Sequence, residues 1–347
     1  VTQNPDEADL FFVHYAPHRG DHTQDGHVVQ KMLAESPYFN PDIPNHFFVH
    51  NLPWYNLWPA PPATHSLISI SPERFNSKPM THVTVPYSDD GWGTDLRTWG
   101  MEDIQHKKYL SCFVGSLSRV KPGQAQRRIL REQFHACNQK GGKAGGVKEV
   151  LWSEFDKRTI TYNYSEQMIT LRQCRFCPVP LGDSASSKRL FDAIQADCIP
   201  VVTSDAFIFP YEDIIPYEDF LYVIPESEVA EKSFNFIDFL RSIPEEEEKQ
   251  KRKRLREEKH HFIFNDPFIY PGDAMDLLMR ELSLRAQLLR GRQRIIRQEA
   301  EKKKNKPQYQ HQKNQQHQPQ QPRHKKFFEI LEEKRDKLVK HFEVGDG

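Results

Sequence analysis

The chain has 347 residues, enough for two domains, and its hydrophobic content of 37% fits packed cores diluted by a polar tail. Lysine plus arginine and aspartate plus glutamate balance at 48 each, so no global field points to nucleic acid or to an acidic membrane surface. Five cysteines make no dense disulfide framework, and Cys174–Cys177 is a lone CxxC without the second pair that a zinc ribbon needs. One disulfide, using Cys137, would fit a lumenal compartment, and the pairing is not readable from the sequence. No apolar run reaches the length of a transmembrane helix, and the opening VTQNPDEADLFFV lacks the charged-then-apolar form of a signal peptide.

In chain order, Asp9 to His14 reads as a strand, followed by a polar, histidine-rich loop through His22 of the kind that faces a cleft. Val28, Val29, Met32 and Leu33 have helical spacing, and Ser36-Pro37 closes that helix. Asn45 to His50 is the next strand. The aromatic and proline-rich Leu52 to Pro59 forms a loop whose rings pack under the domain or stack on sugar faces. Leu67 to Ile70 and Met80 to Tyr87 are further strands, and Ser88 to Asp95 is a turn-rich junction.

Tyr109 to Gly115 is an apolar run that reads as a buried strand, with a turn over Ser116 to Gly123. The following helix carries Ile129, Phe134 and Cys137 on its apolar side. Arg119, Arg127 and Arg128 flank this strand-to-helix turn, and positive charge there opposes the helix dipole unless an anion lies nearby. Gly141 to Gly146 lacks the spacing and the hydroxyl of a Walker loop and reads as a flexible loop. Ser165 caps a helix through Gln173.

The most informative stretch follows, from Cys174 to Asp205. Arg175 to Pro180 reads as a buried strand broken by Leu181-Gly182-Asp183-Ser184. Asp183, Ser184, Ser186 or Ser187 can cap the next helix, whose spacing Leu190, Ala193, Ile194 marks the face packed on a sheet. Arg189 and Asp192, three apart, share another edge and can point together beyond the strand ends. Cys198 to Val202 completes a β-turn-α-β unit. In an open parallel sheet such a unit offers phosphate the free N–H groups of a helix start.

Phe220 to Glu226 is one more strand, Glu245 to Lys259 a charged helix with a solvated role, and Asp273 to Leu282 an amphipathic helix. Glu301 to Lys326 is rich in Gln, His, Lys and Pro and is expected to be disordered, with a short helix over Phe327 to Phe342.

Gly182-Asp183-Ser184, Ser187, Arg189 to Ile194, Ala196, Cys198-Ile199-Pro200-Val201 and Ser204-Asp205, followed by Pro210-Tyr211-Glu212, closely resemble the signature of exostosin-like glycosyltransferases, family 47. The resemblance implies an α/β protein of GT-B type, with two Rossmann-like domains facing a cleft and this block in the nucleotide-sugar-binding half. It implies donor contacts at Gly182, Asp183, Ser184, Ser187, Arg189, Asp192, Ser204 and Asp205, with Glu212 near the donor sugar. Arg119, Arg127 and Arg128 fall in a region that resembles the basic side of the diphosphate site. Asn4 to Val13 resembles a segment lying after a first strand and helix, so the first domain is expected to be truncated and a membrane anchor to lie in the missing part. Asn45 and Pro53 stand where the family pattern has acidic residues. The expected division is an acceptor-side domain over 1–105, a donor-binding domain over 106–290, and a charged, mostly disordered tail over 291–347.

The sequence has no GxGxxG fingerprint and no Asp-x-Asp pair to hold a divalent ion on a diphosphate, so no metal or other cofactor is expected. The chemistry implied is an inverting displacement that moves a hexosyl or pentosyl group from a nucleotide sugar, first a UDP-sugar, to a glycan or glycoprotein acceptor. General-base candidates are His14, His18, Asp21, His46 and Asp89, with His50, Asp90 and Asp95 beside them, all on the first domain. The alternative is an inactive exostosin-like subunit or glycan-binding partner. The family setting implies a type II membrane protein of the Golgi or ER lumen, with a related glycosyltransferase as a possible partner and no nucleic acid.

Overall fold

The computed structural model describes residues 2–13, 31, 33–40, 43, 45–49, 67–71, 82–87, 107–115, 123–141, 149–154, 164–182, 184–264 and 270–304. Two sheets, each entirely parallel, carry these residues. The first contains β1 (Phe11–Phe12), β2 (His46–Val49), β3 (Leu67–Ser71) and β4 (His82–Thr84) in that spatial order. The second contains β5 (Tyr109–Gly115), β6 (Val150–Glu154), β7 (Cys174–Val179), β8 (Ile199–Val202) and β9 (Tyr222–Val223), ordered β6-β5-β7-β8-β9.

The strand sequences explain this arrangement. β8 is buried at all four positions and β5 at all but Tyr109. Unbroken apolar runs suit parallel strands that are covered on both faces, whereas an antiparallel strand facing water would alternate. Ser111 of β5 registers with Val150 on one side and Phe176 on the other, and Phe176 with Ile199.

Helices α1 (Gln124–Gly141), α2 (Tyr164–Arg172) and α3 (Lys188–Gln195) make the crossovers. On α1, Leu130 and Phe134 are fully buried, with Ile129 and Cys137 partly so. On α3, Leu190, Ala193 and Ile194 are buried as their spacing requires. Ser187 takes the N-cap position of α3 but makes no side-chain cap hydrogen bond. At the other end, Asp197 N–H bonds Ile194 and Cys198 N–H bonds Ala193, with Asp197 in the left-handed region at φ 55°. This pair of bonds closes the helix in the manner usually left to glycine.

Four cysteines form two disulfides, Cys112–Cys174 and Cys177–Cys198, and Cys137 is free. The single bridge through Cys137 expected from the sequence is therefore corrected. Cys112 and Cys174 sit on neighbouring strands with Cα atoms 5.8 Å apart, within bridging reach. Cys137 lies on α1 beside Glu149 and Arg241 instead.

Helix α4 (Glu226–Val229), α5 (Phe236–Ser242), α6 (Glu245–Glu258) and α7 (Ala274–Lys304) complete the described chain. The solvated role expected of α6 is also corrected, because one side of it is built into the protein. Glu248 is buried and receives Arg175 and Arg252, while Arg256 donates to both oxygens of Asp197 at 3.0 and 2.9 Å. Lys107 donates to the carbonyls of Arg172 and Asp197 at 2.9 and 2.8 Å, and Lys259 to that of Gln195 at 2.9 Å. These cations gather where α2 and α3 end, and the negative ends of the helix dipoles attract them.

The amphipathic helix expected over 273–282 continues to Lys304, so residues 301–304, expected to be disordered, are helical. Leu277, Leu278 and Leu282 of α7 join a core that takes Ile68, Ile70, Val83 and Val85 from the first sheet side and Val179, Leu181 and Leu190 from the second. Among the described residues no helix is long and apolar enough to cross a membrane.

Candidate functional site

In the second sheet the chain passes from β5 through α1 to β6 on one side, then from β7 through α3 to β8 and on to β9 on the other. The order reverses between β5 and β7. In open parallel sheets the usual ligand position lies beyond the carboxyl ends of the strands at such a reversal.

Two arginines cross this reversal point in opposite directions. Arg127, in the first turn of α1 after β5, donates from Nη2 to the carbonyl of Leu181, which follows β7, at 2.9 Å. Arg189, in the first turn of α3 after β7, donates from Nη1 to the carbonyl of Val114 at the end of β5. Its guanidinium carbon lies 4.6 Å from the centroid of the Phe113 ring. Each arginine thus ties the start of one helix to the end of the other strand, and two cationic groups converge at one edge.

Two glycines make the close approach possible. A Cβ on Gly115 would come within 2.1 Å of Arg189 Nη2, so the guanidinium occupies space that any side chain would claim. A Cβ on Gly123 would stand 2.0 Å from the Leu181 carbonyl oxygen, which places the start of α1 directly against the chain leaving β7. Neither glycine is at a positive φ; the requirement is space.

The turn between β7 and α3 is ordered by its own backbone. Gly182 N–H bonds the Ser186 carbonyl at 2.8 Å, and Ile208 N–H bonds that of Ala185 at 2.8 Å. Ser184 and Ser186 share a hydroxyl contact of 3.0 Å, and Ser184, Ser186 and Ser187 are all buried.

The sequence puts Asp192 on one helix edge with Arg189. It does not point with Arg189 but turns away, buried, and accepts from Tyr164 Oη at 3.1 Å, Gln167 Nε2 at 2.9 Å and Lys188 Nζ at 2.9 Å. Three donors leave its carboxylate anchoring α2 to the first turn of α3. It also offsets Lys188 at a helix start where positive charge is unfavourable.

Ser204 is likewise engaged within the protein. It is fully buried, donates to Glu226 Oε1 at 2.5 Å and accepts from Ala206 N–H at 3.1 Å. Asp205 accepts from Glu226 N–H at 3.2 Å. Glu226, half-buried beyond β9, is thus a member of this edge that the sequence reading did not single out. Its only sequence signal is its place just past a short strand. Arg128 is exposed, about 100° around α1 from Arg127, and Glu212 is exposed in the turn after Tyr211.

Of the general-base candidates, His46 is among the described residues. It begins β2, so it stands at the amino end of a parallel strand, away from the edge where ligands collect. Its ring stacks on Phe11 at 4.8 Å, meets Phe39 edge-on at 5.2 Å and contacts Asn45 Oδ1 at 2.8 Å. Burial lowers its pKa below the ordinary histidine value. His14, His18, Asp21, His50, Asp89, Asp90, Asp95, Arg119 and Asp183 lie outside the described residues, as does the tail beyond 304. Among the described residues no group of three or more His, Cys, Asp or Glu is placed to hold a metal ion.

A profile of the exostosin GT47 domain matches residues 1–237. A probable glycosyltransferase of Arabidopsis thaliana is 29% identical over 222 residues, covering 62% of this chain and 40% of its own length. A second probable glycosyltransferase of that plant is 31% identical over 137 residues, 37% of this chain and 28% of its own. A probable beta-1,4-xylosyltransferase, also from Arabidopsis thaliana, is 30% identical over 150 residues, 41% of this chain and 35% of its own. The chain thus spans between 28% and 40% of the length of these relatives. With the profile extending over more than half of the sequence and over the strand-turn-helix units just described, the chain belongs to the exostosin GT47 family.

Proposed function

We propose that this chain carries the donor-binding machinery of an inverting glycosyltransferase, which moves a sugar from a nucleotide diphosphate sugar, first a UDP-sugar, to a glycan or glycoprotein. The observation that carries the reading is the reciprocal crossing of Arg127 and Arg189 at the reversal point between β5 and β7. A diphosphate there meets two guanidinium groups and the starts of α1 and α3. Such groups are fixed before reaction, so they stabilise the charge that develops on the leaving diphosphate without reorganising. An acceptor hydroxyl attacks the anomeric carbon from the opposite face, and a base on the first domain takes its proton. Residues 106–290 form the donor-binding domain in this reading, and 1–105 the acceptor side.

The two disulfides support folding in an oxidising compartment, the Golgi or ER lumen. The named xylosyltransferase relative supports polysaccharide as the acceptor class. Calorimetry with UDP and GDP, followed by a hydrolysis and transfer screen over UDP- and GDP-sugars, tests the proposal. Binding of one nucleotide and transfer from one sugar is the expected result. A folded sample that binds neither nucleotide would defeat it.

A second reading, a binding subunit without chemistry, draws on His46, which is enclosed by aromatic rings and held by Asn45. Nucleotide binding without transfer across the whole screen would favour that reading.

A further inference from the structure

Tyr87 has no role in the site as derived so far. It lies three residues past the end of β4, beyond the carboxyl edge of the first sheet, and is half-buried. Its hydroxyl faces Ser186 Oγ at 3.4 Å, and its ring centroid stands 5.7 Å from that of Phe191 in α3. A side chain from the first half of the sequence therefore reaches the turn between β7 and α3, which lies at the carboxyl edge of the second sheet.

The hydroxyls of this turn show what Tyr87 contributes. Ser184 and Ser186 are buried, and their oxygens lie 3.0 Å apart. A hydroxyl carries one proton and can both donate and accept, and buried polar groups are almost always paired. Among the described residues the partners of Ser186 Oγ are Ser184 and Tyr87. Followed in either direction, the chain Tyr87 Oη, Ser186 Oγ, Ser184 Oγ gives Ser186 one donor and one acceptor; without Tyr87 it keeps Ser184 alone. The approach of Tyr87 is itself set by packing, because Val83 and Val85 before it share a core with Leu181 and Leu190 on either side of the turn.

We propose that Tyr87 is a positioning residue for donor binding: reaching across from the first sheet, its hydroxyl holds Ser186 and so fixes the β7–α3 turn against which the diphosphate is placed. The proposal rests on the donor-binding reading above. Arg127 holds the start of the turn through the Leu181 carbonyl, and Ile208 N–H holds the Ala185 carbonyl. Both of these come from the second sheet side. Tyr87 adds a hold from the first, so the shape of the donor turn depends on how the first sheet is seated against the second.

The test compares the wild type with Tyr87→Phe, Ser186→Ala and the double variant by calorimetry with UDP and inorganic pyrophosphate, alongside thermal melting. Tyr87→Phe keeps the ring beside Phe191 and removes the hydroxyl alone, so the melting temperature should stay within about 2 °C of the wild type. Affinity for UDP should fall about threefold to tenfold, and affinity for pyrophosphate by the same factor, because the turn serves the diphosphate. Ser186→Ala removes the other end of the same contact, so the double variant should bind UDP as Ser186→Ala alone does. Unchanged UDP affinity in Tyr87→Phe, or losses that multiply in the double variant, overturn the proposal alone. So does a loss for UDP with pyrophosphate unchanged, which would place the effect on the nucleoside, and so does a clear drop in the melting temperature of Tyr87→Phe, which would mark a packing role. A wild type that binds neither UDP nor GDP overturns the donor-binding reading and this proposal with it.

Discussion

Arg189 shows how much one side chain's path decides. From the sequence it shares a helix edge with Asp192; in the fold it crosses to β5 while Asp192 turns into the protein. Removing a charge-assisted contact to phosphate costs about 1.5–3 kcal/mol, so Arg189→Ala should weaken UDP binding by roughly tenfold or more. Gly115→Ala should act in the same direction by another route. The atoms in the way of its methyl group are the end of a flexible side chain, so the guanidinium moves and the fold does not. Calorimetry and melting on both variants check this: affinity falls in each and the transition temperature stays near the wild type. A Gly115→Ala protein that binds UDP normally would show that the position of Arg189 does not matter.

At the scale of elements, α6 shows a charged sequence used as an internal brace. Burial lowers the pKa of Lys107 to about 7, although nearby Asp197 opposes the shift, and lowers that of Lys259 to about 8. Both folded values lie below the ordinary lysine value, so between them and about pH 10.4 the unfolded chain binds more protons. Stability must then rise with pH across that window, by up to about 1.4 kcal/mol per pH unit for each lysine. The thermal transition should climb from pH 7 to pH 9, and Lys107→Met should flatten much of the climb. A transition independent of pH in the wild type would mean that both lysines stay ordinarily protonated.

Helix starts carry a second element-scale prediction. α1 and α3 begin at the reversal point with Arg127 and Arg189 in their first turns, so cationic groups for a leaving diphosphate are supplied by the chain itself. Transfer should therefore proceed at an unchanged initial rate in excess EDTA. Loss of activity on chelation, restored by manganese or magnesium, would contradict this and direct attention to Asp89 and Asp90.

For the whole molecule, α7 ties the two sheets together. Arg285, 4% exposed, donates to the carbonyl of His82 in β4 at 2.9 Å and to Glu281 at 2.8 Å. Further along, Arg290 pairs with Asp9 at an exposed position. An exposed pair between mobile side chains contributes little, whereas a buried donor leaves a carbonyl unpaired when it is removed. Arg285→Met should destabilise by about 1–3 kcal/mol in urea unfolding, and Arg290→Ala should leave the midpoint where it is. Equal effects would mean that the link between the sheets is not made at Arg285.

The sequence by itself determined the elements around the site. The apolar runs of β5, β7 and β8 and the Leu190, Ala193, Ile194 face of α3 are local patterns, set by the geometry of a few neighbouring residues. The ordered signature from Gly182 to Glu212 carried the family resemblance for the same reason, since it too is written in consecutive residues. Only the tertiary structure decided which residues meet. Arg127 and Leu181 are 54 residues apart, Arg189 and Val114 are 75 apart, and Cys112 and Cys174 are 62 apart. No local periodicity encodes such pairings. They follow from the order in which parallel strands join the sheet, which sets Arg127 against Arg189, turns Asp192 inward and leaves His46 at the amino end of its strand.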